Sequence, residues 1–174
     1  MKSPMFITMQ SPLGIITLTT NGEGITALGL PTERAARNVP ERGAESNHDP
    51  LLLRAKAELT EYFAGTRTAF TVPLDPDGTP FQKRVWEALR TIPFGETRSY
   101  RDIADMIGQP TATRAVGLAN GRNPIGIIVP CHRVIGRDGS LTGYAGGLPA
   151  KSWLLEHEGV AVTGGQTVLF GAIR

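Results

Sequence analysis

The hexapeptide DPDGTP at residues 75–80 separates two halves of the chain that carry different hydrophobic periods. Ahead of it, MFITMQSPLGIITLTTNGEGITALGL reads as three short strands. Pro12, Leu13 and Gly14 form one turn and Asn21 to Gly24 the other, and an Asn-Gly pair between β-rich runs is a strong hairpin signal. Behind the break, apolar residues recur at helical spacing. Proline, glycine and aspartate clustered between two such patterns mark a boundary. The arrangement predicts an α+β protein: an N-terminal α/β domain over 1–74, a linker over 75–79, and a mostly helical domain over 80–174. At 174 residues the chain is long enough to bury a core in one domain or in two small ones.

Residues 31–49 are rich in charge, Gly, Pro and Asn and read as an irregular surface loop. DPLLLRAKAELTEYFAG predicts an amphipathic helix capped by Asp49, with Leu52, Ala55, Leu59 and Phe63 on its buried stripe, and FTVPL a short extended piece. In the second half, Thr79 caps and Pro80 opens a helix that buries Phe81, Val85, Trp86 and Leu89. SYRDIADMIG is a compact helix capped by Ser99 and stopped by Gly108. PTATRAVGLANGR is a second, started by Pro110 and Thr111 and ended near Gly121. Two short helices joined by a glycine-containing turn fit a helix-turn-helix, a pattern that many αα-corners share. GRDGSLTGYAGGL is a glycine-rich loop, and PAKSWLLEHEG a last helix with Trp153 and Leu154 inward.

Composition excludes several classes. A single cysteine rules out an intramolecular disulfide and any cysteine-rich zinc site, so a reducing cytoplasm is the expected home. MKSPMFITMQ has no apolar signal core and no stretch is long enough to span a bilayer, so no membrane partner is expected. Residues 1–78 hold 7 Lys/Arg against 9 Asp/Glu, and residues 79–174 hold 11 against 7. The basic second half fits a polyanion, although an unevenly charged solvated surface looks the same.

The one thiol, Cys131, lies in NPIGIIVPCHRVIG at residues 123–136. Three readings are open on the residues alone: a small buried hydrophobe, a hydrolytic Cys-His nucleophile, or a nucleophile whose product is never turned over. GIIV reads as a buried extended run, and Pro130 pins the backbone just before the thiol. The cysteine is therefore expected where an interior element reaches the surface, with the partial exposure of a reactive thiolate. On an extended segment alternate side chains point to opposite faces, so adjacency in sequence does not by itself pair His132 with the thiol, and a bridging water is one way to join them. Glu158, in LLEHEG, sits at a helix C-terminus against the helix dipole, a position that suits a carboxylate orienting a histidine; a solvated helix-end glutamate is the alternative. His157 is the rival base but reads better as a favourable dipole partner at the helix end, and His48 as a surface residue.

PCHRVIG closely resembles the active-site motif of the O6-alkylguanine-DNA alkyltransferases, the methylated-DNA–protein-cysteine methyltransferases. FQKRVWEALRTIPFGETRSYRDIA, TATRAVGLANGRNPIGIIVPCHRVIG and LTGYAGGLPAKSWLLEHEG resemble the family throughout residues 80–159, in order. Residues 1–78 are similar more loosely, as the family's variable N-terminal domain is.

The resemblance implies a ribonuclease H-like N-terminal domain with a three-stranded antiparallel sheet and a helix, and a C-terminal domain with a winged helix-turn-helix. It implies repair by direct reversal: the alkyl group of O6-alkylguanine, and of O4-alkylthymine, passes irreversibly to Cys131 after base flipping, once per molecule. His132 would take the thiol proton through water, Glu158 would orient His132, and Tyr100 would protonate the leaving guanine. The carbonyls of Cys131 and Val134 and the amide of Ala145 would hold the base, beneath a lid at 138–147 that carries Tyr144. Asn123 would tie the recognition helix to the active-site turn. Arg114 would fill the space of the flipped nucleotide, with Ala112, Thr113, Ala115 and Gly117 lining the minor groove. The implied partner is double-stranded DNA carrying alkylated bases, met by a monomer compatible with cooperative assembly on DNA; no cofactor and no metal are implied. Two other classes compete, a non-catalytic binder of alkylated bases with an inert cysteine and a Cys-His hydrolase that turns over and ignores DNA. The joint presence of cysteine, histidine, tyrosine and glutamate disfavours the first; a single turnover that depends on DNA would separate the family reading from the second.

Overall fold

A computed structural model describes residues 3–38 and 42–167, which divide into two compact units. The first comprises residues up to Gly78 together with Pro124–Ile128; the second comprises Thr79–Asn123 and the residues from Val129 onward.

In the first unit β1 (Met5–Ser11), β2 (Gly14–Thr20) and β3 (Ile25–Gly29) form an antiparallel meander. Ile7 pairs with Leu18 and Met9 with Ile16, and all four are buried, so one face of the hairpin is core. The turns follow from their side chains. Ser11 Oγ donates to the Gly14 carbonyl at 2.6 Å, and Asn21 Oδ1 accepts from the amides of Glu23 and Gly24 at 2.9 and 3.1 Å. The segment read as an irregular loop contains one helical turn, α1 (Glu33–Ala36), and a short strand, β4 (Ala44–Glu45). β4 pairs parallel with β1, which makes the sheet four-stranded and mixed, in the order β3-β2-β1-β4. Two residues are too few to show a period, which is why the fourth strand is invisible in the sequence. Residues 39–41 of that loop and 168–174 of the C-terminal domain lie outside the described residues.

Helix α2 (Pro50–Phe63) is capped by Asp49, whose carboxylate accepts from the Leu52 amide at 3.0 Å. Leu52, Ala55 and Leu59 are buried as expected, but Tyr62 rather than Phe63 completes the stripe. Residues 71–75 run beside β3, where the Ile25 amide donates to the Pro73 carbonyl and the Ile25 carbonyl accepts from the Asp75 amide, both at 2.8 Å. Pro124–Ile128 joins this unit because the Leu28 amide donates to the Pro124 carbonyl at 2.9 Å. Domain limits drawn as continuous stretches of sequence do not contain such an excursion.

The second unit is a helical cluster of α3 (Pro80–Arg90), α4 (Tyr100–Met106), α5 (Thr113–Gly121) and α6 (Leu148–His157). Thr79 and Gln82 make a capping box on α3, and Ser99 and Asp102 make one on α4. Val85, Trp86 and Leu89 are buried while Phe81 stays on the rim. The Trp86 indole N–H donates to the Ala119 carbonyl at 2.9 Å and fastens α3 to α5. Helix α5 starts at Thr113, so Pro110 and Thr111 belong to the turn before it. Strand β5 (Arg98–Ser99) pairs parallel with β6 (Val134–Ile135), and β7 (Val162–Thr163) pairs with β8 (Gln166–Thr167). In α6, Leu154 and Leu155 face the core; Trp153 is half-buried and stacks on His157 with ring centroids 4.8 Å apart. His48 is exposed. Among the described residues no helix is long and apolar enough to cross a membrane.

Glu58 is the buried polar anchor of the first unit. Its carboxylate accepts from the Thr71 and Val72 amides at 2.9 and 3.1 Å and from Thr71 Oγ1 at 2.8 Å. Burial raises its pKa, but these bonds and the Arg67 charge outweigh it and leave the group below the ordinary carboxylate value. Glu58→Ala strands the buried Val72 amide and releases that of Thr71, and is expected to cost about 1–3 kcal/mol in urea unfolding. An unchanged midpoint would show that residues 71–72 are held by something else.

Candidate active site

The reactive centre lies on a tight turn. Cys131–Arg133 form a single 3-10 turn between Pro130 and β6, not the extended segment expected. The preceding apolar run is buried but not extended, because Ile127 adopts φ 69°, a left-handed conformation closed to a β-strand. Cys131 is 6% exposed, so the thiol is buried rather than poised at the surface. The turn brings consecutive side chains round the axis, and His132 and Arg133 both reach Glu158, the C-cap of α6.

Glu158 organises these groups. Its Oε2 accepts from His132 Nε2 at 2.9 Å and from Arg133 Nη2 at 3.0 Å, while Oε1 accepts from Arg133 Nε at 2.7 Å. Arg133 Nη1 donates to the Ile92 carbonyl at 2.6 Å. Burial by itself raises the Glu158 pKa, but His132 and Arg133 prevail and hold it well below the usual carboxylate range. An ionised carboxylate only accepts, so Nε2 of His132 carries the proton and Nδ1 keeps its lone pair. Burial lowers the His132 pKa against the opposing pull of Glu158, which keeps the ring neutral. Nδ1 is buried and has no hydrogen-bond partner among the described residues. Close approach of the 93–96 turn to the end of α6 requires Gly95: its φ is 82°, and a Cβ there would lie 3.0 Å from the Glu158 carbonyl.

Burial raises the Cys131 pKa, opposed by a hydrogen bond from the Asn123 side chain and by the Lys151 charge. Asn123, just beyond α5, also donates through Nδ2 to the Val129 carbonyl at 2.9 Å, so it links the end of that helix to the cysteine turn as expected. Tyr144 is buried, and its hydroxyl has no partner among the described residues. Burial, with the charges of Cys131 and Glu158, pushes its pKa well above the ordinary phenol value, so it remains a donor. Tyr100 opens α4; its hydroxyl meets Thr142 Oγ1 at 3.1 Å, and its ring packs against Gly117 of α5, where a Cβ would lie 3.8 Å from the ring. Ala145 is half-buried in the glycine-rich loop.

Two participants are absent from the expected set. Lys151 is fully buried on α6, and its ammonium donates to the Val134 carbonyl at 2.5 Å and the Thr142 carbonyl at 2.8 Å. It fastens the loop carrying Tyr144 to the cysteine turn, and burial brings its pKa down to about 8, with Cys131 acting the other way. Val134 O retains a second lone pair for a substrate amine. Arg133 is the other. Both sit in segments whose pattern reads as solvated: a lysine in the first turn of a helix and an arginine beside a loop. The sequence signal was charge inside otherwise apolar PCHRVIG and AKSWLL.

On α5, Arg114, Ala115 and Thr113 are exposed, Ala112 and Gly117 are half-buried, and Val116, Ala119 and Asn120 face the core. One helix face thus offers an arginine amid small side chains. The described residues include no group of three or more His, Cys, Asp and Glu placed to hold a metal.

The family model for the 6-O-methylguanine DNA methyltransferase DNA-binding domain matches residues 80–160, and that for the family's ribonuclease-like domain matches residues 5–76. The methylated-DNA–protein-cysteine methyltransferase of Mycobacterium tuberculosis H37Rv is 54% identical over 155 residues, covering 87% of this chain and 90% of that protein. The enzyme of the same name from Methanosarcina acetivorans is 51% identical over 150 residues, covering 86% and 95%. Crystal structures of the M. tuberculosis O6-methylguanine methyltransferase, alone and in complex with DNA, superpose with TM-scores of 0.79 and 0.77. They are 51% and 53% identical to this chain, and the matches cover 89% and 88% of it and 92% of each of theirs. The chain belongs to the 6-O-methylguanine DNA methyltransferase family.

Replacing Glu158 by Gln removes the charge that the buried guanidinium of Arg133 pairs with. Stranding a buried partner costs about 3–5 kcal/mol, so Glu158→Gln is expected to lose that much in urea unfolding at neutral pH. Because its folded pKa is depressed, the wild-type contribution is complete above the ordinary carboxylate pKa. It disappears as pH falls through the folded value. A variant as stable as wild type at pH 7 would show that the pair is energetically idle.

Proposed function

We propose that this protein reverses alkylation damage in duplex DNA by moving the alkyl group from guanine O6, and from thymine O4, onto Sγ of Cys131. The observation that carries the reading is a buried thiol beside a neutral imidazole whose free nitrogen is set by a carboxylate on its other side. His132 Nδ1 takes the thiol proton through a bridging water, and the field of Lys151 favours the resulting thiolate. Sulfur attacks the alkyl carbon in line, the carbon–oxygen bond breaks, and its electron pair passes into the guanine ring. Tyr100 delivers a proton to the ring nitrogen, neutralising the leaving group, and solvent restores the phenol. The amide of Ala145, the Tyr144 hydroxyl and the carbonyls of Cys131 and Val134 bind the base edge. The alkyl group stays on sulfur as a thioether, so each molecule reacts once.

The target base must leave the helix to reach a buried thiol. Flipping costs on the order of a few kcal/mol, and Arg114, entering the stack from α5, offsets part of it. Ala112, Thr113, Ala115 and Gly117 keep the helix thin enough for the minor groove. The protein works as a monomer in the cytoplasm, where a lone thiol stays reduced.

Cys131→Ala is expected to abolish transfer from an O6-methylguanine duplex while retaining DNA affinity, since phosphate contacts lie away from the pocket; label reaching the variant would overturn the acceptor. Arg114→Ala is expected to slow duplex repair much more than reaction with the free modified base. Equal losses on both substrates would remove Arg114 from the flipping step.

A further inference from the structure

Glu158 is shared, and the sharing has a chemical consequence. One carboxylate receives His132 through Oε2 and Arg133 through both oxygens, and Arg133 is itself held by the Ile92 carbonyl. The guanidinium is a permanent charge. Its two parallel bonds take one site on each oxygen of Glu158, and His132 takes another on Oε2. We infer that Arg133 is a positioning residue that compensates the Glu158 charge, so that the carboxylate orients His132 without protonating it and Nδ1 stays available as a base.

The inference deepens the proposed reaction and rests on His132 being its base. A bare Glu158 beside His132 would favour an imidazolium, which has no lone pair to accept the thiol proton. With Arg133 in place, the charges acting on His132 are Glu158, which raises its pKa, and Arg133 and Lys151, which lower it, and burial raises the pKa of the adjacent Cys131 thiol. Arg133 therefore selects between two chemistries on one turn. With it, proton transfer starts from thiol and neutral imidazole; without it, the histidine is charged before the thiol ionises. The bidentate geometry also fixes the carboxylate plane, which a point charge does not do.

The test separates charge from geometry. Nitrogen-15-labelled histidine NMR is to be followed from pH 5 to 8 in wild type, Arg133→Met and Arg133→Lys, with the rate of transfer from free O6-methylguanine measured over the same range. Wild type is expected to show a neutral ring protonated at Nε2 at pH 7. In Arg133→Met the His132 titration and the acid limb of the rate profile move together to higher pH, by about one unit or more, the scale set by one adjacent charge. Arg133→Lys restores the charge, keeps the titration near wild type, and is slower at every pH because the carboxylate is less well aimed. A folded Arg133→Met with an unmoved titration, or an Arg133→Lys that shifts as far, overturns the inference. If Arg133→Met does not fold, the wild-type spectrum and Arg133→Lys still decide it: a doubly protonated His132 at pH 7 sinks it. The NMR readout needs no transfer, so absence of alkyl transfer in wild type would count against the proposed reaction and leave the titration result standing.

Discussion

The carboxylate of Glu158 is the contact on which the second unit turns. It is buried at the end of α6, and it draws to itself two consecutive residues of the turn that carries the thiol. Taking such a charge out of water costs several kcal/mol, and only well-aimed, charge-assisted bonds recover it. His132 and Arg133 supply three, all between 2.7 and 3.0 Å. A hydrophobic cluster would have stabilised the same junction without specifying it. The ion pair instead specifies the register of the 3-10 turn against α6, and with it the position of Cys131 and the tautomer of His132.

From that junction the remaining parts follow. Lys151, on the same helix as the Glu158 cap, reaches the carbonyls of Val134 and Thr142, so α6 positions both the cysteine turn and the loop above it. Asn123, just beyond α5, holds the cysteine turn through Val129 and the thiol. Helix α5 is held in turn by the Trp86 indole. The α5 surface proposed to read DNA and the buried Cys131 are thereby joined through a chain of buried polar side chains. A change at the thiol has a direct physical route to the helix that carries Arg114.

Elements whose signals are local were legible in the sequence. The Asp49, Thr79 and Ser99 caps, the two turns of the meander and the helical stripes need only neighbours within a few residues, and they stand where their spacing places them. Where tertiary contacts decide, the sequence was silent or misleading. Apolar GIIV has the composition of a strand, yet Ile127 is left-handed, and the chain turns there instead of extending. The β4 strand exists only because β1 offers an edge. In the site, Cys131, His132, Glu158, Tyr100 and Asn123 were identifiable through the family's motifs. Arg133 and Lys151 were not: a charge inside otherwise apolar PCHRVIG and AKSWLL is a signal, but it does not say which distant carboxylate or carbonyl receives it. The orphaned hydroxyl of Tyr144 is likewise visible only in three dimensions.

The central claim is that the thiol is a stoichiometric acceptor. Intact-mass spectrometry of the protein incubated with a large excess of O6-methylguanine duplex tests it most directly, followed by peptide mapping and a count of restored guanines. The account predicts one added methyl per chain, on the peptide containing Cys131, with restored guanine equal to protein and no further reaction however long the incubation. Repair exceeding one equivalent with the protein mass unchanged, or a methyl group mapped to another residue, would contradict it.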